Sequence, residues 1–481
     1  MKKLIVILFI IFGSFLTFSL YRTFAYDTSV VEEVPSTTDL EYTFKIGNSS
    51  IKQITVDSGE TKYYDIVLSN PNNAKISYSV YYEMVSPSTK PDGYKIEYTS
   101  KSTGNSTGIV NNNGNITLNI VVTNTSSSSV TVKVGTVAGY VKGGELTLNS
   151  GQEVIPKRLT AAEYVMTLND NTSGDEGSGV YKIEHSAIPA SNSATGSEIP
   201  AVTDYRYYGP NPNNYICLDM EGGSTCPDKH LYRIIGSIYE EKENTNRIKL
   251  IKATPLTDGT TSAFSWDYTS SGSYSNIWAT ITSGNYSNSL TSGSTLMQLL
   301  NSGAWWNGTS GSYYNQSNTA TTVNFTNYKL SDKAKSYITT SRYYLGGFNN
   351  TPPLTNEMYG YERGILRYDT NRPLYWEGMV GLMYPSDYGY AAGNSCVNGT
   401  KLYDYNGYGN KDWLYISDIY QSLMSPYSGH FCSLFSVGYA GRVVIDNDVF
   451  EDLAVSPVFY LTSTTSIIDG DGSLNNPYIL K

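Results

Sequence analysis

The side chains from which this chain of 481 residues could assemble a reactive site are few: four cysteines, three histidines and a thin scatter of carboxylates. Cys217, Cys226, Cys396 and Cys432 make an even count, which in an oxidising compartment suits two disulfides. Proximity along the chain favours Cys217–Cys226 and Cys396–Cys432. In the chain-entropy picture a loop of about ten residues is worth about 2.7 kcal/mol and one of about 37 about 3.8 kcal/mol. The competing readings are four free thiols or a metal site. Against the metal, no Cys-x-x-Cys occurs, and His185, His230 and His430 form no ligand pair. Serine–histidine chemistry would need one of those three as a base. His430 lies near Cys432 with no Gly-x-Ser-x-Gly around it and reads as a solvent-facing loop residue.

Paired carboxylates for glycoside hydrolysis could come from Glu362, Glu377, Asp387 and Asp412. Each has a plainer reading: Glu362-Arg363 as an internal ion pair, Ser386-Asp387 as a turn or cap. Oxygen ligands for calcium cluster at Asp446-Asn447-Asp448 and at Asp469-Gly470-Asp471-Gly472. Neither continues into the third ligand and terminal bidentate Glu of an EF-hand loop. Asp469 and Asp471 therefore stand as weak calcium candidates inside an expected tight turn. No phosphate loop and no dinucleotide glycine pattern occurs, so no cofactor is expected, and the residues name no catalytic group.

The elements that must position these residues follow from composition. Charged residues are only 16%, their place taken by small polar residues and 44 Tyr. That mix favours short strands with polar turns over helical bundles. A net charge of −10 with no basic cluster argues against nucleic acid. Lys2 and Lys3 precede an apolar run, Leu4 to Leu20, with no acid before Asp27, as in a signal peptide or single-pass anchor. Either leaves the remainder outside the membrane. Residues 1–25 are assigned to this segment and 26–40 to a spacer.

From 41 to 150, apolar residues alternate: Tyr64, Ile66, Leu68; Ile76, Tyr78, Val80, Tyr82; Ile116, Leu118, Ile120, Val122; Val130, Val132, Val134. Period two over about seven short strands predicts an antiparallel β-sandwich. Thr160 to Leu168 reads as a short helix with a Thr160/Glu163 capping box, and Asp170 to Pro200 as linker, together spanning 151–203. All Trp and all Cys lie between Cys217 and Cys432, so 204–481 is read as a second fold of mixed α+β type. Tyr232–Ile235 and Ile248–Ile251 are expected to pair across the turn Glu241–Asn246. Short helices are expected at Ser294–Leu300, Ser331–Ile338 and Tyr415–Met424. Trp305-Trp306 and Trp376 are the expected anchors of its loops.

Several blocks in this region resemble a large uncharacterised family of surface and secreted proteins of Firmicutes and related wall-less bacteria. They are Tyr207–Ile216 (YYGPNPNNYI), Leu231–Ile235 (LYRII), Tyr344–Gly347, Tyr361–Arg363, and Trp376–Ala391 (WEGMVGLMYPSDYGYA). Asn410–Leu414, Met424–Pro426, Pro457–Leu461, Asp469–Ser473 and Asn476–Tyr478 continue the resemblance to the end of the chain. Val455-Ser456 and Leu423–Ser425 depart from the family's pattern, which puts an Arg partner there in doubt. The layout is also similar to the C-type-lectin-like architecture shared with formylglycine-generating enzymes, and 41–150 is similar to bacterial immunoglobulin-like modules. An enzyme of the formylglycine kind needs a close cysteine pair as its redox or copper site, for which Cys396 and Cys432 are the candidates.

The expectation is thus a mainly β protein, an N-terminal antiparallel β-sandwich followed by a loop-rich α+β C-type-lectin-like module. Its expected role is non-catalytic binding or adhesion at the cell surface, toward a glycan or protein ligand, with membrane contact through the N-terminus if uncleaved. The alternatives are an extracytoplasmic enzyme, acting on carbohydrate or cysteine-dependent, and a structural matrix component.

Overall fold

The computed structural model describes residues 43–46, 53–99, 101–140, 146–169, 174, 177–193, 197–280, 290–365, 373–407 and 411–481. The segments read as leader and spacer lie outside the described residues. Among the described residues, no helix is long and apolar enough to cross a membrane. The fold is mainly β, with several antiparallel sheets, and divides between Arg158 and Leu159 into two compact units.

In the first unit the alternating runs become strands β1 (Thr43–Ile46), β2 (Gln53–Val56), β3 (Thr61–Ser69), β4 (Ile76–Ser86), β5 (Tyr94–Tyr98), β6 (Thr107–Val110), β7 (Asn115–Asn124), β8 (Val130–Tyr140) and β9 (Gln152–Val154). They form two antiparallel sheets, β1-β3-β7-β5 and β2-β8-β4-β6, with β9 added beside β4. Ile66 and Leu68 of β3 and Ile116 to Val122 of β7 meet Val80 and Tyr82 of β4 and Val130, Val132 and Val134 of β8 in one core. A fully buried side chain of this size contributes about 1.5–3 kcal/mol, so alternation sets the register. Asn113 takes the left-handed conformation (φ 54°) in the tight turn before β7, which Asn tolerates at low cost.

The second unit opens on the expected helix, Ala161–Thr167, entered through a complete capping box. Thr160 Oγ accepts from the Glu163 amide at 3.2 Å, and Glu163 Oε2 accepts from the Thr160 amide at 2.9 Å. Its main sheet is built on β10 (Gly179–His185), β11 (Val202–Tyr208), β12 (Tyr215–Cys217), β13 (Leu231–Glu240) and β14 (Thr245–Lys252). The expected pairing of β13 with β14 holds, with Ile234 opposite Leu250. Strand Val458–Leu461 extends the sheet beyond β14, and Tyr478–Leu480 lies parallel to β12. Helices Thr295–Asn301 and Asp332–Ser336 fall where expected, capped by the side chains of Ser294 and Ser331.

Two expectations are corrected. The stretch 170–200 is not simply a linker: β10 lies within it and pairs along its whole length with β11, so 159–203 belongs to the second unit. Tyr415–Met424 is not a helix; Gln421–Pro426 is a strand buried at every position, held beside Ser433–Val437. A strand covered on both faces shows no alternation, so periodicity does not separate it from a buried helix.

Candidate functional site

Pairing of β10 with β11 places Tyr181 opposite Arg206 and Ile183 opposite Asp204. Residues opposite one another share a face. Against that face pack helices Thr355–Glu362, Pro385–Ala391 and Asn394–Gly399, which bring Tyr359, Tyr390 and Val397 onto Tyr181 and Tyr208. Between them lies a cavity of about 610 Å³, lined by the rings of Tyr181, Tyr359 and Tyr390, by His185, and by Asn356, Asn394 and Asn398.

Behind the rings runs a chain of buried charges. His185 Nε2 meets Asp204 Oδ2 at 2.9 Å, and the His185 ring stacks on Tyr359 at 3.7 Å. Arg206 joins Asp204 (2.9 Å) to Asp387 (2.8 Å), and Lys249 reaches the other Asp387 oxygen at 2.5 Å. Beside it, Glu362 accepts from the amide and hydroxyl of Ser386 and pairs with Arg363 at 3.7 Å. Asp204 and Asp387 are balanced by Arg206 and Lys249, and Glu362 lies against Arg363, which is what lets six such groups lie buried.

Burial alone would raise the Asp204 and Asp387 carboxyls, but the adjacent cations hold both below the ordinary range. Glu362 is pushed up to about 7 by burial, which Arg363 and Ser386 only partly offset. Burial lowers the His185 imidazole, the opposing pull of Asp204 notwithstanding, so the neutral ring is favoured.

The carboxylates considered for hydrolysis are each committed to partners of this kind. Glu362 and Arg363 form the ion pair read from the sequence, and Asp387 caps its helix through the Tyr384 amide at 2.9 Å. Glu377 pairs with Arg342 at 3.1 Å; buried Asp412 accepts from the Leu414 amide at 2.8 Å. His230 is buried against Glu221 at 3.1 Å. Asp469 and Asp471 accept from the amides of Gly470 and Ser473, and Gly470 and Gly472 take positive φ, forming the tight turn. Trp305 and Trp376 are buried anchors, joined by Trp266 and Trp278.

The cysteines divide. Cys217 and Cys226 are bridged, pinning the loop after β12. The expected Cys396–Cys432 bridge is absent: both are buried thiols outside any disulfide. Cys396 sits on helix Asn394–Gly399, whereas Cys432 Sγ is engaged by His430 Nδ1 (2.9 Å) and Asp448 Oδ1 (3.2 Å). Burial and the Asp448 carboxylate push the Cys432 thiol up to about 11. His430 is indeed exposed, but it is not idle. Closeness in sequence measures only the entropy of closing a loop; it does not say where the intervening strands carry the two sulfurs.

Comparisons with protein-family models, with curated proteins and with solved structures return no match.

Proposed function

We propose that the chain is an extracytoplasmic surface protein whose second unit binds a polar, glycan-like ligand in the cavity beside β10. The observation that carries this reading is the lining. Aromatic rings offer flat apolar area, and Asn356, Asn394 and Asn398 offer donors and acceptors around them. A cavity of about 610 Å³ lies within the usual 300–1,000 Å³ of small-ligand sites. The export reading rests on Lys2, Lys3 and the apolar run after them, and the Cys217–Cys226 bridge is in keeping with it.

In this reading the first unit is an immunoglobulin-like spacer, supported by its two antiparallel sheets over one core. The second is a C-type-lectin-like module of the surface-protein family that its sequence blocks resemble, supported by the return of Tyr478–Leu480 to β12.

A hydrolytic alternative is favoured by one observation: Asp204 holds His185 at the cavity wall, as a carboxylate orients a general base. The test is a glycan array probed with the full chain and with Asn356→Ala/Asn398→Ala, both at exposed positions. Binding to a defined glycan class, lost in the double variant, is the expected result. Silence across the array, or binding indifferent to the double variant, overturns the cavity assignment; turnover of a bound glycan, abolished by His185→Gln, moves the reading to the enzyme.

A further inference from the structure

The Cys432 cluster lies apart from the residues that line the cavity. Strands Ser433–Val437 and Val443–Asp448 pair with Ser433 opposite Asp448, which sets Asp448 beside the residue following Cys432. The Val449 amide donates to the Cys432 carbonyl at 2.7 Å and fixes that end of the hairpin. His430 comes from the preceding turn, which Asn276 clamps. Its side-chain amide reaches the carbonyls of Tyr427, His430 and Ser433 at 2.8–3.0 Å, and its backbone amide donates to Phe431 at 2.8 Å. Three potential ligand atoms, one sulfur, one imidazole nitrogen and one carboxylate oxygen, thus stand within 4.8 Å of one another on a braced frame.

Two arrangements use these three residue types. In a catalytic triad the imidazole stands between thiol and acid and uses both ring nitrogens. Here the sulfur stands between Nδ1 of His430 and Oδ1 of Asp448, which is not the order of a relay, and the three atoms lie within 4.8 Å of one another. We propose that His430, Cys432 and Asp448 form a binding site for a zinc-class divalent cation, with a fourth coordination position open on the solvent side.

Ligand bonds of about 2.0–2.3 Å at tetrahedral angles need edges of about 3.5 Å between ligand atoms. The sulfur–nitrogen and sulfur–oxygen edges are 2.9 and 3.2 Å, and the third edge lies within 4.8 Å, so the three atoms bracket that value. A mixed sulfur, nitrogen and oxygen set selects against calcium and magnesium, which take oxygen alone. Binding converts the thiol to thiolate and releases its proton to solvent. Ser433 Oγ lies 3.1 Å from Asp448 Oδ1 and 3.4 Å from His430 Nδ1, beside both ligand atoms. His430 is exposed, and the neighbouring Phe431, 61% exposed, stacks on Tyr274 at 5.9 Å. A donor atom of a ligand entering the fourth position would therefore meet an aromatic rim.

The test uses the full chain, stripped with chelator and kept free of air and of added thiol so that Cys217–Cys226 stays closed. Titration with cobalt(II) should saturate at one equivalent with a thiolate-to-cobalt charge-transfer band, discharged by one equivalent of zinc. Cys432→Ser should abolish the band, His430→Ala should weaken binding at least about tenfold, and Cys396→Ser should leave both unchanged. Because His430 is exposed, its variant decides the matter even if Cys432→Ser fails to fold. Absence of saturable binding, a band that survives Cys432→Ser, or one lost in Cys396→Ser instead, overturns the proposal.

Discussion

Asp387 is the point at which the buried charge chain is most exposed to a single substitution. It is 1% exposed and accepts from Arg206 at 2.8 Å and from Lys249 at 2.5 Å. In Asp387→Asn, Arg206 keeps Asp204, but Lys249 is left facing the rings of Tyr384 and Tyr460, 4.4 and 5.6 Å away. Removing one partner of a buried pair costs about 3–5 kcal/mol, a large part of a usual stability of about 5–15 kcal/mol. All six tryptophans lie beyond residue 158, so indole fluorescence reports unfolding of the second unit alone. With a urea slope of about 3 kcal/mol per molar, the midpoint should fall by about 1–1.7 M. The comparison is Glu377→Gln, which breaks a partly buried pair whose Arg342 keeps Glu241 at 3.4 Å and should cost clearly less than Asp387→Asn. If the two variants shift the midpoint equally, the idea that Asp387 is the counter-charge of an otherwise stranded Lys249 is wrong.

Further expectations concern other parts of the molecule. Glu362, pushed up to about 7 from the ordinary 4.5, keeps its proton in the folded state over a range where the unfolded chain has lost it. Its contribution therefore declines as pH rises from about 4.5 to about 7, by about 3 kcal/mol in all, and is flat above. Glu362→Gln should shrink the loss in fluorescence-monitored urea midpoint between about pH 5 and about pH 8; an unchanged loss contradicts the assignment. Opening the Cys217–Cys226 loop, with its sequence separation of 9, by Cys226→Ser should cost about 2.7 kcal/mol by the same measurement. Added reductant should then bring the unmodified chain to the variant's midpoint and leave the variant where it is. In the first unit, Asn124 donates to the carbonyls of Val56 (2.9 Å) and Ser128 (2.8 Å). Asn124→Ala strands them, costs about 1–3 kcal/mol, and should speed amide exchange along β2 and β8; unchanged protection refutes that role.

The legible parts of this protein are those whose physics is local. Alternation at Ile66-x-Leu68 and Ile116 to Val122 gave the faces of β3 and β7, because a side-chain period of two is readable within one strand. Thr160 and Glu163 gave a helix start, because a capping box closes over four residues. The cavity was not legible. Arg206 and Asp387 stand 181 residues apart, and nothing near either marks the other. β10 was hidden by its Ser-, Gly- and Asn-rich flanks, although Val180, Tyr181, Ile183 and His185 already carried its strand pattern. The Cys432 cluster was half visible: His430 was weighed as a base near Cys432 and Asp448 as one of an oxygen-ligand cluster, but only the hairpin register brings them to one sulfur.

The closing of the second sheet also sets a timetable. β14 lies between β13 and Val458–Leu461, and Arg247 waits across 214 residues for the Leu461 carbonyl it will hold. β12 likewise waits for Tyr478. Until the last of these residues emerges from the ribosome, the strands made first present bare amides and carbonyls to whatever lies nearby. Pairings this distant in sequence make the second unit slow to fold.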